Sequence, residues 1–112
     1  MKRALLILVV TLASCTPLPA ATTASWYGAA YQGRLMANGR PFDRRAMTCA
    51  SRTLPLGAVL RVTRRGAAPV YVTVTDRPSS RFAKRLDLSE AAFARLAPTS
   101  AGLIDVTVTR LR

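Results

Sequence analysis

The sequence predicts a mainly β fold: a small closed β-barrel of six short strands with one short helix, preceded by a signal peptide. Three observations carry the prediction. Val70, Val72 and Val74 alternate with Tyr71, Thr73 and Thr75, the period-two pattern of a half-buried strand. Shorter alternating stretches recur on both sides of it, separated at close intervals by glycine, proline and asparagine turn residues. Closure into a barrel also removes the exposed edges that so small a sheet would otherwise carry.

The chain opens with a leader. Met1-Lys2-Arg3 is positive, and Ala4 to Ala13 is an apolar run too short to span a bilayer as a mature helix. Leu12-Ala13-Ser14-Cys15 matches a bacterial lipoprotein cleavage box, with Cys15 as the residue to be lipidated. Two or more acyl chains on that cysteine would give stable membrane attachment. Thr16 after the cysteine favours outer-membrane sorting in a Gram-negative cell. Ordinary cleavage near Ala20-Ala21 and a disulfide between Cys15 and Cys49 are the competing readings. The expected boundaries are residues 1–14 for the leader, 15–23 for a tether and 24–112 for the folded domain.

Ser25-Trp26-Tyr27 reads as a strand entering a turn at Gly28, and Asn38-Gly39 as a turn suited to positive φ. Met47 to Ser51 is a second short strand. Ala58 to Thr63 alternates with Ala58, Leu60 and Val62 facing inward, and Arg64-Arg65-Gly66-Ala67 turns into the valine strand. Pro78-Ser79-Ser80 ends that strand, and Leu86-Asp87-Leu88 is a brief extended piece. Ser89 is an N-cap for a helix over Glu90 to Leu96, whose Ala92, Phe93 and Leu96 share an inward face. Pro98 stops it, and Ile104, Val106 and Val108 mark the last strand.

Composition narrows the chemistry. The chain has no histidine, which excludes a Ser-His-Asp triad and argues against a zinc site. No metal or other cofactor is implied. Cys49 has no histidine to activate it and reads as a small core residue. The formal net charge is +12, of which only Lys2 and Arg3 belong to the leader. Such a surface attracts polyanions. An exported chain meets little nucleic acid, and neither a recognition helix nor interleaved aromatics is present. Peptidoglycan and lipopolysaccharide are the fitting anionic polymers. Asp76 continues the parity of the valines, so it is expected at the strand end on the face they bury. There its carboxyl can be tuned, or it can serve as a turn residue bonded to its own backbone.

The ordered set Ala24-Ser25-Trp26-Tyr27-Gly28, Ala37-Asn38-Gly39 with Phe42-Asp43, Ser51-Arg52-Thr53-Leu54-Pro55-Leu56-Gly57, Val74-Thr75-Asp76-Arg77 and Leu86-Asp87-Leu88-Ser89 resembles the rare lipoprotein A (RlpA) family of bacterial cell-wall proteins. The resemblance implies a double-psi β-barrel, related to barwin-like and expansin barrels, that binds peptidoglycan glycan strands in a groove. It also implies lytic transglycosylase activity, in which a carboxyl protonates the leaving oxygen and the sugar's own 6-hydroxyl closes an anhydro ring. The implied catalytic residues are Asp76, with Asp43 in support. The implied substrate contacts are Trp26, Tyr27, Asn38, Arg40, Arg77 and Asp87. Trp26 and Tyr27 are equally candidates for core packing, Asp87 for helix-start duty, Asn38 for a left-handed turn, and Arg77 for an ion pair with Asp76 or Asp43.

The chain departs from the family pattern at two positions. Arg40 stands where the family has a glutamate, and Ser51 where it has a histidine. Arginine donates no proton at neutral pH. A cation facing Asp76 would also hold its carboxyl ionised, the opposite of what a proton donor needs. Two readings follow from sequence alone: a lytic transglycosylase-like enzyme with Asp76 as acid/base, Asp43 in support and Arg40 on a substrate carboxylate, or, as the alternative, glycan binding with little or no cleavage, as in expansins.

Overall fold

The computed structural model describes residues 18–78 and 85–112. Cys15 and Ser79-Ser80 lie outside them. The strands are β1 (Ala20–Tyr27), β2 (Thr48–Ala50), β3 (Val59–Thr63), β4 (Val70–Asp76), β5 (Leu86–Ser89) and β6 (Ile104–Arg110), with one helix, α1 (Glu90–Leu96), between the last two. They close into a barrel in the order β1–β5–β2–β4–β3–β6. The β1–β5 and β2–β4 pairs are parallel, and the other four are antiparallel.

Alternation decides which side chains fill the interior. Leu60 and Val62 of β3, Val70, Val72 and Val74 of β4, Leu86 and Leu88 of β5 and Ile104 and Val106 of β6 are all buried. Burying each Val, Leu or Ile contributes about 1.5–3 kcal/mol. Cys49 sits fully buried among them with no disulfide among the described residues, a small apolar filler.

Helix α1 closes one end of the barrel. Ser89 Oγ accepts a hydrogen bond from Ala92 N (3.2 Å), donates to Ala46 O (2.6 Å), and so caps the helix while tying it to the segment before β2. Ala92, Phe93 and Leu96 are buried against the strands. Trp26 donates from Nε1 to Thr99 O (2.9 Å) and packs 6.4 Å from Phe93, fastening the chain after the helix to β1. Gly28 permits this packing, since a Cβ there would come within 2.8 Å of the Trp26 ring.

Two expectations are corrected. Residues 20–23, read as tether, form the first half of β1 and pair with β6 from Ala20↔Val108 to Thr23↔Asp105. Alanine and threonine carry too little hydrophobic contrast to announce a strand, and β6 supplies the pairing. Asn38 is not left-handed. Only glycines have positive φ among the described residues, Gly39 (82°) being the one in this turn. Asn38 instead accepts from Arg40 N through Oδ1 (3.0 Å), a side-chain turn.

Candidate functional site

Strand register assembles the site. Ser25 on β1 lies opposite Asp87 on β5, Asp87 opposite Ala50 on β2, and Ala50 opposite Asp76 on β4. Four adjacent strands thus present Ser, Asp, Ala and Asp along one line. Neighbouring strands are ~4.8 Å apart, so the two aspartates start from backbone positions ~10 Å apart, with only a methyl group between them. Side chains of this length can converge on a bond held above Ala50.

A β-bulge puts Asp76 on that line. Cys49 pairs with Val74, but Ala50 pairs with Asp76, so Thr75 is the extra residue. Thr75 is buried, with its hydroxyl unpartnered among the described residues. The slip turns Asp76 away from the face its valine parity indicated and into the groove, since a one-residue slip exchanges the faces of a strand.

The groove has a volume of about 740 Å³ and runs over this line, bounded by the loop after β1. Asp76 anchors that loop. Its Oδ1 accepts from Ala37 N (2.9 Å) and Arg77 N (2.8 Å), which arranges this carboxylate as an acceptor. Asp87 differs. Burial pushes its carboxyl above the ordinary value, and the charge of Asp76 adds to the rise. A hydrogen bond donated by Ser25 Oγ (2.9 Å) and the positive charge of Arg85 pull the other way without reversing it. The two carboxyls therefore differ in their partners: backbone N–H groups for Asp76, the Ser25 hydroxyl for Asp87.

Tyr27 forms the adjoining wall. Its ring stacks on Phe42 (4.2 Å, 18°) and meets Tyr31 in a T-shaped contact (5.7 Å), so one face is committed to Phe42 and not open to a sugar. Its Oη is buried, with the Asp76 carboxylate as the hydrogen-bond acceptor within its reach. Burial, followed by the charges of Asp76 and Asp87, raises its pKa, so it stays protonated as a donor. Cys49, behind the site, is pushed up to about 12 by burial and the Asp87 charge, and is inert as a nucleophile.

The other sequence candidates lie elsewhere. Asp43 is exposed and spent on a local turn, accepting Arg45 N through Oδ1 (3.0 Å). It is not part of the groove wall. Arg40 is exposed, also outside that wall, and makes no ion pair with Asp76 among the described residues. The expected pairing of this cation with Asp76 is therefore not observed among the described residues. Asn38 is likewise outside the wall. Arg77 lines the groove but sends Nη1 to the carbonyls of Ser51 and Leu54 (2.6 Å each), stapling the loop after β2 where an ion pair with an aspartate was considered. Ser51 accepts from Leu54 N in that loop (3.1 Å). Trp26 lines the groove while anchored to Thr99.

Sequence reasoning missed Ser25, Tyr31 and Arg34. Arg34 lies over the partly exposed Tyr31 ring (5.4 Å) on the groove wall. The spacing of an aromatic and an arginine three residues apart was the one available signal.

The site defines a class: a closed six-stranded barrel bearing an external groove with two unlike aspartates on its floor. Residues 19–108 match the family model described as "Lytic transglycolase". The chain belongs to this RlpA-like double-psi β-barrel family. It is 41% identical over 92 residues to an uncharacterized protein of Synechocystis sp., spanning 81% of this chain and 98% of that one. It is 40% identical over 87 residues to the endolytic peptidoglycan transglycosylase RlpA of Pseudomonas aeruginosa PAO1, spanning 77% of this chain but only 25% of that protein. Among solved structures, the Streptomyces papain inhibitor superposes with a TM-score of 0.68 at 27% identity, covering 85% of this chain and 96% of the inhibitor. A mutant Clavibacter michiganensis expansin in complex with cellohexaose gives 0.68 at 26%, covering 85% and 51%.

Proposed function

We propose that this chain binds peptidoglycan glycan strands in the groove and cleaves them as a lytic transglycosylase, with Asp87 as proton donor and Asp76 as the facing carboxylate. The observation that carries the reading is the Ser25–Asp87–Ala50–Asp76 line, with the Asp87 carboxyl raised by burial. The names of the transglycosylase relatives supply the substrate class.

Protonated Asp87 donates to the glycosidic oxygen as the bond from that oxygen to C1 of N-acetylmuramic acid breaks. The Asp76 carboxylate faces the positive charge that develops at C1. The sugar's own 6-hydroxyl oxygen then bonds to C1, and its proton returns to the Asp87 carboxylate. Water is not consumed, and the product is an anhydro sugar. Ser25 holds the Asp87 carboxyl in place between turnovers. This assignment moves the acid from Asp76, favoured by motif, to Asp87. With Arg40 outside the groove, the argument from a neighbouring cation against cleavage no longer applies.

A second reading is glycan binding without cleavage. It is favoured by Arg40 and Ser51 at the family's glutamate and histidine positions, and by the expansin solved with cellohexaose. Incubating the purified protein with sacculi and analysing the soluble fraction by mass decides between the two. Anhydro-muropeptides from wild type, absent with Asp87→Asn, support cleavage. Sacculus binding without release supports the second reading.

The chain acts in the cell envelope on this account. Attachment to the outer membrane through lipid on Cys15, facing the periplasm, is the accompanying proposal. It rests on the Leu12-Ala13-Ser14-Cys15 box.

A further inference from the structure

The outer surface formed by β6, β3 and the start of β1 is chemically unlike the groove. Thr23, Thr63 and Thr107 line a shallow depression of about 510 Å³ together with Arg64, Arg65 and Asp105. The register explains the grouping: Thr63 pairs with Thr107, and Thr23 with Asp105, on neighbouring strands. Arg64 is held in place by donating from Nη1 to Leu96 O (2.9 Å), which leaves its other N–H groups fixed in direction. Arg65 is exposed and makes no ion pair among the described residues. Arg61, two residues before Thr63 on the same strand face, extends the basic strip, lying between exposed Tyr71 and Thr109 across the strands. A closed barrel offers a partner no strand edge, so whatever binds here is read by these side chains.

We infer that this depression is a second binding site, for the uncrosslinked peptide arms of peptidoglycan, with Arg64 and Arg65 taking the terminal carboxylate and Asp105 the side-chain ammonium of the arm's diamino acid. The pairing of opposite charges in one depression selects the ligand. A dense phosphate polymer would be drawn to the arginines but repelled by Asp105. A peptide with both a free carboxylate and a free amine satisfies all three, and the threonine hydroxyls donate to or accept from its amides. The choice of a wall peptide as occupant rests on the proposed peptidoglycan function. Two sites on separate faces, one for glycan and one for peptide, would hold a single polymer at two points and raise retention beyond either contact alone.

The test is an NMR titration of the isotope-labelled chain with a wall tetrapeptide whose N-terminus is blocked as an amide, the same peptide with its side-chain amine N-acetylated or its carboxyls amidated, and polyphosphate. The expected result is saturable movement of the Thr63, Arg65 and Thr107 amides. Asp105→Asn and N-acetylation should each weaken binding roughly fivefold, as should Arg65→Gln and amidation. Asp87→Asn should leave peptide binding unchanged. Absence of saturable movement, movement confined to Ser25 and Asp87, or polyphosphate binding that exceeds the peptide's and survives Asp105→Asn would each overturn the inference. A chain that binds the tetrapeptide but releases no anhydro-muropeptide loses the catalytic reading and keeps this one. Cleavage without tetrapeptide binding does the reverse.

Discussion

Replacing Asp87 by asparagine should make the protein more stable at neutral pH while abolishing cleavage. The folded-state carboxyl is raised above its ordinary 3.8, so ionising it costs the folded protein more than the unfolded chain. That cost is absent below 3.8, where both states are protonated. It grows as pH rises through the raised folded value and is constant above it. Burial is the main source of that cost, and at ~10 Å the repulsion from Asp76 adds about 0.4 kcal/mol at the dielectric constant of water and about 1.7 kcal/mol at an effective value of 20. Arg85 offsets part of this, and an asparagine oxygen can still accept from Ser25 Oγ. The net gain should be about 1 kcal/mol, a Tm increase of about 4–8 °C for a domain of this size. Thermal melts of wild type and Asp87→Asn across the acid-to-neutral range provide the assay. The two curves should coincide at about pH 3 and separate as pH rises, because the folded carboxyl loses its proton above the unfolded one. A lower Tm for Asp87→Asn at neutral pH, or a gap that does not vary with pH, would refute the assignment of Asp87 as the strained acid.

Gly28→Ala should cost about 1–3 kcal/mol, because the new methyl group overlaps the Trp26 ring, which Thr99 holds in place. Trp26 is the chain's one tryptophan, so intrinsic fluorescence reports its displacement directly and the loss appears in a denaturant melt. Thr75→Val removes a buried hydroxyl with no partner among the described residues and should stabilise by about 1 kcal/mol, with sacculus binding unchanged. A loss of stability there would mean the hydroxyl is bonded, for instance to water. Metabolic labelling with an alkyne fatty acid should mark wild type and not Cys15→Ala. Equal labelling, or a mature N-terminus at Ala21, would end the anchoring proposal.

Legibility in the sequence tracked the strength of local contrast. The valine strand and the Ser89-capped helix were readable because each pattern is complete within its own segment. The first half of β1 was not, since alternating alanine and threonine become a strand only through β6. The site divides in the same way. Asp76 and Asp87 could be named from their motifs, but a register belongs to two strands at once. The slip at Thr75 and the shared line through Ala50 were therefore invisible. Asp43 matched a family position and Arg40 replaced the residue of another, yet Asp43 is spent on a turn and neither residue lines the groove. Tyr27 suggested sugar stacking until Phe42 and Tyr31 were found against its ring.

A crystal structure of Asp87→Asn with an uncleaved glycan tetrasaccharide tests the central claim most directly. The account expects the strand to cross Ala50, with the scissile oxygen within about 2.6–3.2 Å of the side chain at position 87 and C1 facing the Asp76 carboxylate. A strand that leaves position 87 out of reach of the glycosidic oxygen, or that binds against Arg40 and Asp43 instead, would contradict it.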